Sequence, residues 1–300
     1  MRVFIISDME GVNGVLNLHD WCLPDGFRNS AGCRLLTEEV NAAVRGFFAG
    51  GAADVIVYDG HGASGSILCE MLDSRASLQR GRMDFPVMND QVDALAFVGQ
   101  HAKAGTANAH LAHTQTEEAI DFQINGVSLG EFGQSTYAFS EINVPAIFAA
   151  GDLALTLEAQ AIMPEIVTVA VKEGFNTPVR EDCPADDVFL RESAALHYPR
   201  AGVLAEIEEK ARVSAEKFLK TPEVFAIKPL PGTQYIAEAA YRKTSRRIAA
   251  EVGEYPARSI KTAYCNTIRA ALKEFYTRRE WCMIDGEFVK ELKKNLYNKE

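Results

Sequence analysis

The chain reads as an α/β protein: a parallel-type sheet flanked by helices, with a second, smaller α/β subdomain. Three observations predict it. Short apolar runs recur through the first 175 residues, each the length of a strand buried on both faces. Helical spacing of apolar residues between the first two runs completes a βαβ unit, right-handed by default. From about residue 175 the texture becomes more polar and more helical. Residues 1–175 are therefore expected to form one α/β unit and 176–300 a C-terminal α/β subdomain packed on it.

The first run, RVFIIS (2–7), is continuously apolar up to its last residue, as in a central parallel strand. After a loop rich in Gly and Asn, residues 33–48 place Leu36, Val40, Ala43, Val44 and Phe47 on one helical face, and Gly50–Gly51 stops the helix. ADVIVYDGHG (53–62) is a second strand ending in polar residues and glycine. DALAFVGQHA (93–102) and VPAIFAAGD (144–152) repeat that pattern. FQINGVSLGEFG (122–133) carries Asn-Gly between apolar runs, the signal of a tight hairpin. A helix is expected from Leu153 to Ile162, then a strand in EIVTVAVKEG (165–174). Beyond a polar, Pro-containing loop, residues 202–220 read as a charged amphipathic helix, 223–230 as a strand, and 233–250 and 266–278 as helices.

Composition narrows the function. Three hundred residues at 47% hydrophobic and 24% charged can bury a sizeable core. A net charge of −10 argues against a nucleic-acid partner, whose phosphates need clustered Lys and Arg. No apolar run reaches the roughly 18 residues of a membrane span, and the apolar start MRVFIISDME is too short and too soon acidic for a signal peptide. The six cysteines are scattered with no CxxC pair, which suits a reducing compartment. A soluble cytoplasmic protein is expected.

The strand ends carry the chemistry. The first delivers Asp8 and Glu10, the second Asp59 and His61, the third His101 and the later one Asp152. Residues two apart on an extended chain project to the same side, and open parallel sheets bind ligands beyond their carboxyl ends. Carboxylates and imidazoles meeting there form the ligand set of zinc, manganese or iron. Singly, each has a blander reading: a DxE pair caps a turn, and a loop histidine bonds to backbone. Recurrence shifts the balance, because two of only six histidines end predicted strands. His110 and His113, in NAHLAHTQ, are surface residues on the bland reading and suppliers of a proton-transfer or nucleophilic group on the other. Glu131, between glycines after the hairpin, reads as an exposed turn residue or a ligand, while His19 and His197 read as structural. No GxSxG, Walker A, GxGxxG or HExxH motif offers another mechanism.

In order, SDMEGV, DGHG, GQHAKAGT, HLAHT and GEFG resemble the motifs of the zinc-dependent D-aminopeptidase family of the DppA type. RNSAGCRLLTEEVNAAV (28–44), VPAIFAAGD and TVAVKEG resemble further segments of that family. The likeness covers about the first 175 residues and implies two Zn2+ per subunit, with Mn2+ or another divalent metal as a substitute. It implies that Asp8 bridges the metals, that Glu10 and His61 complete one site and His101 and Glu131 the other, and that His113 is the catalytic histidine. It also implies a ring-like homo-oligomer, a decamer among the arrangements, acting on short peptides or amino-acid amides. Residues 11–28 and the region after 175 depart from the family pattern and are expected to line the substrate pocket. Two other readings share the residues. A binuclear phosphoesterase needs a further Asn, His or Arg clamp near the metals, and a non-catalytic metal-holding scaffold needs no proton donor.

Overall fold

The computed structural model describes residues 1–62, 64–81, 92–176, 183, 188, 194–242, 250–253 and 257–263. Its strands are β1 (Arg2–Ser7), β2 (Asp54–Asp59), β3 (Ser77–Gln79), β4 (Ala94–Gln100), β5 (Ala119–Ile124), β6 (Val127–Ser128), β7 (Ala146–Asp152), β8 (Val167–Gly174), β9 (Ala195–His197), β10 (Ala237–Tyr241) and β11 (Ala250–Gly253). Its α-helices are α1 (Asn29–Ala49), α2 (Glu131–Ser140), α3 (Leu153–Ile162) and α4 (Arg200–Lys220). A seven-stranded sheet runs β3-β2-β1-β4-β7-β8-β9 among the described residues, parallel except for β9. It is the mixed α/β sheet that the apolar runs predict. A second, four-stranded sheet in the order β11-β10-β5-β6 takes strands from both sides of residue 175.

Burial explains the main sheet. Val3, Phe4 and Ile5 of β1 and Leu95 to Val98 of β4 are fully buried, so these strands lie in its middle with both faces covered. All five residues of the predicted helical stripe, Leu36, Val40, Ala43, Val44 and Phe47, are buried as α1 crosses the sheet, and Phe47 meets Phe148 edge to face. In the hairpin, Asn125 (φ 51°) and Gly126 (φ 76°) join β5 to β6 with Ile124 paired to Val127.

Two expectations for the later chain change. Residues 223–230 hold a 3₁₀ turn at Pro222–Phe225 followed by irregular chain, not a strand. Phe225 is fully buried and lies 6.0 Å from Phe218, so the segment folds back onto the end of α4. The stretch expected as helix over 233–250 contains β10, which pairs antiparallel with β5. Its burial alternates, Ala237, Ala239 and Tyr241 inward and Glu238 outward. Alanine's helical preference yields there to the open edge of β5. The helix expected at 266–278 and most of the polar loop after 175 lie outside the described residues.

One contact aligns the carboxyl ends. Asp8 N–H donates to Val98 O at 2.9 Å and Gly11 N–H to Gly99 O at 2.8 Å, which draws the chain leaving β1 across the end of β4. A Cβ on residue 11 would lie 1.9 Å from Gln100 O and 2.6 Å from Gly99 O. Gly99 itself has φ 76°, and a Cβ on it would meet Asp8 O at 2.0 Å. Gly11→Ala is expected to destabilise the protein by about 1–3 kcal/mol, read as a lower midpoint in urea denaturation; an unchanged midpoint would contradict this account of the crossing.

Candidate metal centre

The sheet order brings the sequence candidates together. β1 has β2 on one side and β4 on the other, so the residues after it lie between the loop after β2, with His61, and the end of β4, with His101. Asp8 uses both of its oxygens. Oδ1 lies 3.0 Å from His61 Nδ1, and Oδ2 lies 3.3 Å from His101 Nε2 and accepts from Gln100 Nε2 at 2.8 Å. Glu10 Oε2 is 3.1 Å from the same His61 nitrogen. Glu131 Oε1 is 3.5 Å from His101 Nε2 and 3.9 Å from His113 Nε2. The His101 and His113 rings stack, with centroids 3.9 Å apart.

Two triplets each offer ligand atoms within 4.8 Å of one another, Asp8–Glu10–His61 and His101–His113–Glu131. Asp8 touches both through different oxygens. The triplets suit a pair of divalent cations by three tests. The donor set is carboxylate and imidazole. Glu10 Oε2 and His101 Nε2 are buried without a hydrogen bond of acceptable geometry. The ring nitrogens turned away from the centre are already committed, His61 Nε2 to Cys22 O at 3.0 Å and His101 Nδ1 to Ala102 O at 2.9 Å, which is how ligating imidazoles are oriented.

The protonation balance reports the same demand for positive charge. Burial alone would lower the His61 pKa, but Glu10 and Asp8 outweigh it and push it up to about 12. His101 is likewise raised well above its ordinary value, burial losing to Asp8 and Glu131. Burial would raise the Asp8 carboxyl, yet His101 and His61 hold it well below the usual range. Glu131 is lowered too, burial again losing to His101. Without a metal, protons on the imidazoles answer the carboxylates.

Local sequence explains how each group is delivered. Asp59, the other polar residue at the end of β2, is fully buried and accepts N–H bonds from Gly65, Ser66 and Ile67. It shapes the loop that carries His61 and turns away from the centre. Glu131 opens α2 after Gly130, where the first-turn N–H groups favour a carboxylate, and its Oε1 accepts from Gln115 N at 2.7 Å. The reading of Glu131 as an exposed turn residue fails: its side chain is 23% exposed and faces the histidines.

The two adjacent histidines separate cleanly. Neither is a surface residue, and neither lies on a helix. His110 is fully buried, with Nε2 3.0 Å from Leu16 O and its ring against His197. His113 Nδ1 is 2.8 Å from Leu111 O, which leaves Nε2 toward Glu131. A cavity of about 540 Å³ opens onto Asp8, Glu10, His61, His113 and Glu131. Its far wall is Leu18, Cys22, Leu23 and Pro24, from a π-helical turn (Leu18–Cys22) and the residues after it, as expected of the 11–28 segment. The region after 175 contributes no described residue to the lining, and neither Arg nor Lys lines it among the described residues, while Asn29 and His113 do. Sequence reading passed over Gln100 and the Cys22 carbonyl. Gln100 had one signal, a polar side chain closing an otherwise apolar strand; the carbonyl had none.

Comparison with known proteins gives the family and the fold. The peptidase M55 family model, described as D-aminopeptidase, matches residues 1–230. A D-aminopeptidase of Bacillus subtilis (strain 168) is 30% identical over 178 residues, which is 58% of this chain. The match spans 64% of that relative, just under two thirds of its length. The solved structure of the Zn-dependent D-aminopeptidase DppA from Bacillus subtilis, described as a self-compartmentalizing protease, superposes with a TM-score of 0.72. That match covers 94% of this chain and all of the other at 21% identity, a likeness of fold. With the family model spanning more than half of its length, the chain belongs to the D-aminopeptidase family.

Proposed function

We propose that this protein is a zinc-dependent aminopeptidase or amidase that releases the amino-terminal residue of short peptides or amino-acid amides, with preference for the D configuration. The single observation that carries the reading is Asp8, which reaches His61 beside Glu10 through one oxygen and His101 beside Glu131 through the other, on the wall of one cavity. Family membership and the zinc dependence of the DppA relative support it. Residues 1–175 would hold the catalytic unit, with the later segments packed against it.

On this reading Glu10 and His61 would hold one zinc ion and His101 and Glu131 another, with Asp8 available to both through its two oxygens. Bound there, zinc supplies Lewis acidity, which acidifies a water and polarises the scissile carbonyl. Three carboxylates offset three of the four positive charges. His113 is left for proton transfer. Its Nδ1 is engaged by the Leu111 carbonyl and its Nε2 lies beside Glu131 on the cavity wall, so Nε2 exchanges a proton with the reacting amide. The cavity, about 540 Å³, has room for a substrate of one or two residues.

No helix among the described residues is long and apolar enough to cross a membrane, and Cys22, Cys33 and Cys69 are free thiols. We place the protein in the cytoplasm as a ring-like homo-oligomer, by analogy with the self-compartmentalizing relative. A monomer mass in light scattering would remove the ring.

Purified enzyme is expected to hydrolyse D-alanine p-nitroanilide, to lose that activity on chelation and to regain it with zinc. Neither D- nor L-amino-acid amides being cleaved by zinc-loaded protein would end the proposal, and cleavage of p-nitrophenyl phosphate alone would favour the phosphoesterase. His113→Ala is expected to lower kcat by about 10²–10⁴-fold with metal content intact; an unchanged kcat would take His113 out of the chemistry.

The raised His61 pKa gives a pH test. In the metal-free chain, a folded pKa of about 12 against an ordinary 6.5 makes imidazolium a stabilising group. That contribution is full below pH 6.5 and is lost as pH rises through about 12. A metal must displace this proton, so zinc affinity should fall as pH falls, by about tenfold per unit for each proton displaced. Titrating zinc into weakly buffered metal-free protein should acidify the solution; no proton release would argue against His61 as a ligand.

A further inference from the structure

The segment leaving β1 is held by groups that the proposed chemistry does not use. Lys172 lies on β8, three places from β1 in the sheet, and its side chain is fully buried. Its Nζ donates to the carbonyl oxygen of Glu10 and, at 3.1 Å, to that of Val12. Next along the chain, Asn13 Nδ2 donates to Val171 O at 2.7 Å and to Tyr198 O at 2.9 Å. Gly14 N–H donates to His197 Nδ1 at 2.8 Å. Besides the Gly11 bond to Gly99 of β4, residues 10–14 are thus tied across the sheet to β8, β9 and the residue after β9.

An ammonium is a costly way to fill a buried space. A methionine has nearly the same shape and no charge to desolvate. What methionine cannot do is donate to two carbonyls two residues apart, and that pair of bonds fixes the turn between them. The clamped carbonyl and the carboxylate of Glu10 leave the same residue, so holding the first fixes the backbone from which the second projects. That carboxylate is the one 3.1 Å from His61, packed beside Asp8 where like charges oppose each other.

The geometry points to Lys172 as a positioning residue: it clamps the turn at residues 10–12 so that Glu10 already faces His61 and Asp8 before a cation arrives. The inference rests on the zinc-centre reading above. Its distinguishing consequence is that one metal site weakens while the other does not. Removing the ammonium leaves the Glu10 and Val12 carbonyls buried without this donor, so the metal-free melting temperature falls, but only the Glu10–His61 site loses its preset ligand.

The test compares wild type, Lys172→Met and Lys172→Gln, with His61→Ala as reference. Each is stripped by a chelator and titrated with Zn2+ against a chromophoric competitor, and its metal-free melting temperature is measured. Wild type is expected to bind two ions. Lys172→Met should keep one site within about threefold and weaken the other by about 10–100-fold, reproducing the pattern of His61→Ala in a protein that still melts cooperatively. Lys172→Gln, which keeps a donor without the charge, should lie between. Two unchanged sites in a folded Lys172→Met protein would overturn the inference and leave the zinc-centre reading standing. A parallel loss of both sites with a lowered melting temperature, or a failure of both variants to fold, would make Lys172 structural only and overturn it as well. Wild type that binds no zinc would overturn the zinc-centre reading, and this inference with it.

Discussion

A buried carboxylate that faces two imidazoles with its two oxygens is the constraint on which the rest of this structure turns. Asp8 reaches His61 through Oδ1 and His101 through Oδ2. That arrangement demands a strand with neighbours on both sides, each ending level with it and each delivering a histidine. Only a central position between β2 and β4 meets the demand. The even register of β1 with both partners, Ser7 opposite Asp59 and Val98, brings the three ends to one height. A shift by one residue would turn the side chains to the opposite face.

Concentrating carboxylates in a buried place carries an electrostatic penalty, and the surroundings are arranged around it. Protonated imidazoles answer the charge in the metal-free chain, and carbonyl groups fix the rings from behind through Cys22 and Ala102. The backbone is held as firmly as the side chains: Gly11 and Gly99 let two chains pass almost in contact, while Asn13 and Lys172 tie the following turn to β8. Glu39 belongs to the same support. It is fully buried, accepts from Asn13 N and pairs with Arg200 at 3.4 Å, and burial still raises its pKa to about 7 against the pull of that guanidinium. Such polar interiors are tolerated because nearly every group has a defined partner.

The smaller sheet completes the centre from the opposite side. β5 and β6 frame the approach to α2, whose first residue is Glu131, and the loop before β5 carries His113 and Gln115. β10 extends that sheet with residues from the far end of the chain. The placement of Glu131 on α2 therefore depends on chain segments that lie more than a hundred residues away from it.

Much of this was legible in the amino-acid sequence. The continuous apolar runs of β1, β4 and β7 can only be strands covered on both faces, and Leu36 through Phe47 can bury one face only as a helix. Those are local facts, decided by sterics and hydrophobic periodicity within a dozen residues. The stretch around β10 misled because alanine-rich chain suits a helix until the free edge of β5 takes it. That His113 and not His110 faces the cavity, that Asp59 turns into its own loop, and that Cys22 O, Gln100 and Lys172 serve the centre were decided by the tertiary structure alone. Their partners are long-range, and a contact between distant segments leaves no periodic trace in either of them.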